Sequence, residues 1–250
     1  VHYDERAGFL SATKLVDRSA PFFAMPRIGG VALDRIRLKA SDPAEASRKK
    51  LELITGKIMP MLADRVVDLH ERNIVHRDIK PNNVLYEPAE NKLTVLDFGR
   101  AARLNAVEAR RDHGAFPYMP PELMLETPVR EDVRVDVFGF GATYYTLLTG
   151  RLGIEYEGIG NIWRLTGLDM MFTSQEEVVK SYCRDIMQLG TLGYAALVEK
   201  IRMPNELKQS ELGKYLIRLV HPLKTERPAM REVADTIRRL GAQFNQGSSL

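Results

Sequence analysis

His76-Arg77-Asp78-Ile79-Lys80-Pro81-Asn82-Asn83, followed by the apolar pair Val84-Leu85 and later by Asp97-Phe98-Gly99, decides how the rest of the chain is read. Within this stretch stand a carboxylate, a cation and a carboxamide, and a second carboxylate closes the apolar run that follows. A hydroxyl attacking a terminal phosphate needs a carboxylate to orient it and take its proton, which makes Asp78 the candidate base. Lys80 is the candidate for offsetting charge on the transferring group. Magnesium prefers hard oxygen ligands and keeps part of its water shell, so two protein ligands suffice, and Asn83 and Asp97 are the candidates. These residue types at this spacing point to phosphoryl transfer.

Upstream, Leu51, Ile54, Ile58, Leu62, Val66 and Leu69 recur at helical spacing and predict a long amphipathic helix that delivers the chain to this loop. Asp42-Pro43-x-Glu45 predicts its start, with Asp42 as the cap, and Pro60 predicts a kink. Downstream, Val84-Leu85-Tyr86, a turn over 88–91 and Leu93-Thr94-Val95-Leu96 predict a hairpin that sets Asp97 opposite Asn83. Asp136 to Leu148 is apolar almost all round, the pattern of a helix at the centre of a domain, and Gly150 ends it. Ser174-x-x-Glu177 is a capping box before Val178, Tyr182, Ile186 and Met187 on one face. Further helices are predicted from Glu211 and, after Arg227-Pro228, along Met230, Val233, Ile237 and Leu240. The first 30 residues predict a short charged helical end and two strands, around Ala12 to Asp17 and Phe22 to Ile28, broken at Gly29-Gly30.

With 44% hydrophobic residues in 250, the chain can bury a sizeable core. A net charge of +3, with the basic residues scattered, indicates neither a nucleic-acid nor a membrane partner. One cysteine, Cys183, excludes an internal disulfide framework and fits a reducing, cytoplasmic compartment. Val1 to Arg6 carry no signal-peptide pattern, and the longest apolar stretch, Val137 to Leu148, is too short to span a bilayer. Cys183, Trp163 and Met170-Met171-Phe172 read as core, and His2, His113 and His221 as surface or core packing rather than ligands, since no Cys or His stands at metal spacing.

His-Arg-Asp, Asn83 five residues after the Asp, Asp97-Phe98-Gly99 and the pair Pro121-Glu122 together resemble the eukaryotic-type protein kinase family. The resemblance implies an α+β, protein kinase-like fold with a mostly helical C-terminal lobe and a remnant of the β-rich N-terminal lobe. It places a partial N-lobe at 1–30, the C-lobe at 31–241 and a flexible tail at 242–250. Lys14 to Asp17 looks like the fourth strand, and Phe22 to Met25 like the fifth, leading to the adenine-binding hinge with Ala24 or Met25 as gatekeeper. The Gly-rich loop, strand-three lysine and helix glutamate of the family are not recognisable, so the chain reads as N-terminally truncated. Lys14, in its Ala-Thr-Lys context, mimics that lysine, but its closeness to the hinge favours a plain fourth-strand lysine.

The resemblance further implies a serine/threonine protein kinase that moves the γ-phosphate of ATP to a protein hydroxyl. Lys80 would then serve both catalysis and nucleotide binding, with ATP and magnesium as cofactors and a protein substrate as partner. Asp136 would hydrogen-bond the catalytic-loop backbone, and Arg227 would pair with Glu122. The alternative is a catalytically impaired, kinase-like binding or scaffold module. A small-molecule phosphotransferase would lack the Pro120-Pro121-Glu122 segment and its Arg227 partner. Two departures stand out: between Arg100 and Met119 the only phosphorylatable residue is Tyr118, and Ala115 replaces the usual Thr. No loop phosphorylation is therefore expected, with Glu108 or Asp112 as a fixed charge for Arg77. Asn82 stands where kinases that prefer basic substrates often carry Glu.

Overall fold

A computed structural model describes residues 2–4, 9–11, 28–104, 107–108, 116–125, 129–130, 132–159 and 174–245. Two short strands, β1 (His2–Asp4) and β2 (Phe9–Ser11), pair antiparallel with Tyr3 opposite Leu10. The charged helical end predicted here is thus replaced by strand, in keeping with the β-forming Tyr3 and Phe9. The strands predicted over Ala12 to Asp17 and Phe22 to Ile28, with Lys14, Ala24 and Met25, lie outside the described residues up to position 27.

Strand β3 (Val31–Ala32) runs into a 3-10 turn, Leu33–Arg35. Helix α1 (Ala44–Leu53) then starts with Pro43, not Asp42, in the cap position. The Asp42 carboxylate is already used: it accepts the Lys39 N–H at 2.8 Å and the Lys50 ammonium at 2.8 Å. Ile54–Ile58 form one wider, π-helical turn in which the Met59 N–H reaches the Ile54 carbonyl. Helix α2 (Met59–Glu71) follows directly. Pro60 has no N–H for the carbonyl one turn back, and this widened turn sits where the bond is missing, in place of a simple kink.

From α2 the chain passes β4 (Ile74–Val75), the 76–83 loop, the predicted hairpin β5 (Val84–Glu87) and β6 (Lys92–Val95), then β7 (Ala102–Arg103). Val84 faces Val95 and Glu87 faces Lys92 in the hairpin. Strand β3 extends this sheet along β5, and β4 pairs with β7, so two small sheets clamp the loop between them. Strand β8 (Val107–Glu108), helix α3 (Pro121–Leu125) and β9 (Val129–Arg130), which pairs with β8, lead to helix α4 (Arg134–Thr149). Every residue of α4 from Val135 to Leu148 is buried, and Gly150 ends it at φ 70°. A helix without a wet face must be wrapped by others.

Beyond α4 follow α5 (Ser174–Thr191), α6 (Tyr194–Lys200), α7 (Asn205–Gln209), α8 (Glu211–Leu219) and α9 (Met230–Asn245), and α2, α8 and α9 pack against α4. The Ser210 hydroxyl accepts the Gly213 N–H at 3.0 Å and caps α8. Helix α8 packs on α4, and α9 lies along α2 and the widened turn. The predicted stripe Met230, Val233, Ile237 and Leu240 is at most 4% exposed. Burying each such side chain contributes about 1.5–3 kcal/mol. Between α9 and α2 the exposed pairs Arg231–Glu71 and Arg238–Asp64 add no more than about 1 kcal/mol each. Val179, Tyr182, Cys183, Ile186 and Leu189 are buried on α5, whereas Met187, predicted on the same face, is half-buried, and the Cys183 sulfur lies 3.7 Å from that of Met124. Burial pushes the Cys183 thiol up to about 12, which makes it a packing residue and not a nucleophile. Trp163, Met170-Met171-Phe172 and His113, and the side chains of His2, Ser174, Glu177 and Val178, lie outside the described residues. No helix among the described residues is long and apolar enough to cross a membrane.

Candidate active site

The loop from His76 to Asn83 is built on the first turn of α4. Asp136, 1% exposed, accepts the His76 N–H at 2.8 Å and the Arg77 N–H at 2.7 Å, one on each carboxylate oxygen. A buried carboxylate is tolerable only with such partners. Arg77 takes φ 67°, a left-handed conformation that costs energy outside glycine, and the bond to its N–H helps hold it there. His76 is fully buried and its Nδ1 accepts the Asp78 N–H at 3.3 Å, so its proton sits on Nε2, which donates to the Leu96 carbonyl at 3.0 Å. The ring meets Phe98 edge-on at 4.8 Å. His76 therefore ties the loop to the chain just before Asp97.

Asp78 is 5% exposed, and one of its carboxylate oxygens, Oδ2, receives both the Lys80 ammonium at 2.7 Å and the Asn83 amide at 2.8 Å. The same amide nitrogen also donates to the Asp78 backbone carbonyl at 2.9 Å. Both N–H bonds of the carboxamide are thus spent on Asp78, which leaves the side-chain oxygen, Asn83 Oδ1, for another partner. The hairpin pairing runs past its strands through the Leu96 N–H, which donates to the Asn83 backbone carbonyl at 2.7 Å, so Asp97 follows a residue bonded to Asn83. Asp97 is exposed at φ 61° and its Oδ1 accepts the Gly99 N–H at 3.2 Å. The oxygens that Asn83 and Asp97 offer are the hard donors magnesium takes, and the residues fit that ion. Ala24 and Met25 lie outside the described residues, so the structure brings together Asp78, Lys80 and Asn83, with Asp97 at the end of the same hairpin.

His70 escaped the sequence reading. Its Nε2 donates to Asp136 Oδ2 at 2.9 Å, giving that carboxylate a third partner. The available signal was a histidine one turn beyond Val66, on the apolar stripe of α2. We expect His70→Ala to lower stability by about 1.5–3 kcal/mol, read from urea denaturation, because a buried charged group loses a hydrogen bond. His221 is buried as expected, with its Nδ1 accepting the Leu223 N–H at 3.1 Å.

Arg227, fully buried in its side chain, meets Glu122 through two parallel bonds of 2.6 and 2.9 Å. Its remaining donors reach the carbonyls of His221 at 2.7 Å, Pro222 at 3.0 Å and Arg134 at 3.2 Å, so all five guanidinium N–H groups are used. The group also lies 4.9 Å from the centre of the Phe138 ring. This junction fastens α3, the start of α4 and the turn before α9 to one another. Tyr118 is partly buried beside Thr146, and burial raises its phenol above the usual range. Asp112 and Ala115, and the Glu108 side chain, lie outside the described residues.

A model of the protein kinase domain family matches residues 40–236. The chain belongs to the protein kinase family. The chain is 43% identical over 118 residues to the calcium/calmodulin-dependent protein kinase cmkA of Emericella nidulans, covering 46% of this chain and 28% of that one. It is 40% identical over 101 residues to the serine/threonine-protein kinase KIC1 of Saccharomyces cerevisiae, covering 40% of this chain and 9% of that one. The chain thus spans under a third of either kinase. Its fold matches the structure of the Cydia pomonella granulovirus kinase PK-1 with a TM-score of 0.54 at 19% identity, over 84% of this chain and 66% of that one. The protein kinase fold, with a helical C-terminal lobe and a small sheet remnant, is as the sequence reading has it.

Proposed function

We propose that this chain carries the transfer centre of a serine/threonine protein kinase, moving the γ-phosphate of ATP to a protein hydroxyl. The observation that supports it is the lock among Asp78, Lys80 and Asn83, which leaves the Asn83 side-chain oxygen beside the candidate base without an N–H donor among the described residues. In the step, the substrate oxygen forms a bond to the γ-phosphorus and the bond to the β–γ bridging oxygen breaks, releasing ADP. The hydroxyl proton passes to Asp78, and Lys80 offsets charge on the transferring group. Asn83 and Asp97 would hold magnesium, which when bound supplies neutralisation of phosphate charge. Ala24 and Met25 would contact the adenine. In this reading 1–30 are the partial N-lobe, 31–241 the C-lobe and 242–250 a tail whose first residues, to Asn245, still belong to α9, in a cytoplasmic protein. The kinship with KIC1 and the lysine at position 80 support Ser/Thr acceptors.

The test is calorimetric titration with ATP, followed by transfer to matched peptides that differ only in Ser, Thr or Tyr. ATP should bind about tenfold or more tighter with magnesium than with a chelator, and Asp97→Asn should remove the gain. Equal affinity with and without magnesium would leave the kinase-like binding module instead, and transfer to the Tyr peptide alone would overturn the Ser/Thr assignment.

A further inference from the structure

Helix α4 touches the loop at more than Asp136. Gly139 and Thr143 stand three and seven residues further along the helix, on the same face as Asp136. A Cβ on Gly139 would stand 3.0 Å from the Ile79 carbonyl oxygen and 3.2 Å from the Ile79 Cβ, closer than side chains normally approach. One turn on, the fully buried Thr143 hydroxyl donates to that same carbonyl at 3.5 Å, the far end of the hydrogen-bonding range. Among the described residues the Ile79 carbonyl takes no other hydrogen bond. A mid-helix threonine ordinarily turns its hydroxyl back to the carbonyl of its own preceding turn, and here it faces the loop instead.

We propose that Gly139 and Thr143 are positioning residues for the transfer reaction, an inference that rests on the kinase reading above. The stripe on α4 grips the loop on both sides of Asp78. Before it, Asp136 accepts the N–H groups of His76 and Arg77; after it, Thr143 donates to the carbonyl of Ile79, with Gly139 clearing the space between. The two N–H groups fix the peptide planes that lead into His76 and Arg77, and the carbonyl fixes the plane that joins Ile79 to Lys80, so the segment carrying Asp78 and Lys80 is held at both ends. Neither Gly139 nor Thr143 touches the reacting atoms; both act through the backbone.

The test compares Thr143→Val, which keeps the shape and removes the hydroxyl, with Thr143→Ser, which keeps the hydroxyl. Thr143→Val should lower kcat about tenfold with KM for ATP unchanged, because misplacing a reacting group by a fraction of an ångström is costly. Amide hydrogen exchange over 76–83 should quicken about tenfold without a matching fall in Tm, and Thr143→Ser should restore both readouts. Gly139→Ala sets a methyl against the Ile79 carbonyl, and positioning predicts a fall in kcat with faster exchange over 76–83, whereas a purely structural role predicts a fall in Tm with kcat of the folded fraction unchanged. Unchanged exchange in Thr143→Val, or equal damage in Thr143→Ser, overturns the inference. A wild-type chain without transfer activity would sink the kinase reading, and the exchange comparison would still decide whether α4 holds the loop.

Discussion

Replacing Asp78 by asparagine is expected to lower phosphoryl transfer by about 10²–10⁴-fold while leaving Tm nearly unchanged. The variant keeps one carbonyl oxygen, which can still receive the Lys80 ammonium and the Asn83 amide that now meet Oδ2 at 2.7 and 2.8 Å. The loop should therefore hold its shape, since its backbone is fixed by Asp136 and His76 and not by residue 78. What the carboxamide lacks is the ability to take a proton from the incoming hydroxyl. Magnesium-dependent ATP affinity, measured on the same preparation, should stay within a few-fold of wild type. Turnover within tenfold of wild type would remove Asp78 from the mechanism.

The second large effect is on stability. Glu122→Ala or Arg227→Ala is expected to cost about 3–5 kcal/mol in chemical denaturation, because each leaves the other charge buried without a partner. The side chains are 4% and 0% exposed, so water cannot take over the lost bonds. Replacing the pair together, Glu122→Leu with Arg227→Met, should recover only part of this. An apolar pair removes the orphaned charge, but the carbonyls of Arg134, His221 and Pro222 still lose the guanidinium donors that satisfy them. Single variants that cost under 1 kcal/mol would show that the junction is solvated in solution.

Much of this was readable along the chain. The hairpin that carries Asp97, the apolar helix ending at Gly150 and the last helical stripe all rest on short-range patterns, which act within one or two turns or strands. The Arg227–Glu122 pair and the Asp136 bonds came from the family resemblance, and the structure shows both. The misses have local causes. Asp42 looks like a cap, but Lys39 and Lys50 compete for its carboxylate. Pro60 signals a broken helical bond, yet whether the helix kinks or widens depends on what α9 lays against it.

Residue order alone carried the kinase fold and the candidate chemistry, because side-chain types at close spacing on one loop do not need distant partners to be recognised. The third partner of Asp136 and the donor to the Ile79 carbonyl could not be read that way. His70 on α2 meets Asp136 and Thr143 on α4 meets the loop, 66 and 64 residues in sequence from the groups they bond. A histidine on an apolar stripe or a threonine in an apolar helix has no pairing written in its neighbours, and only packing α2 and α4 around the loop selects which carboxylate or carbonyl each one serves.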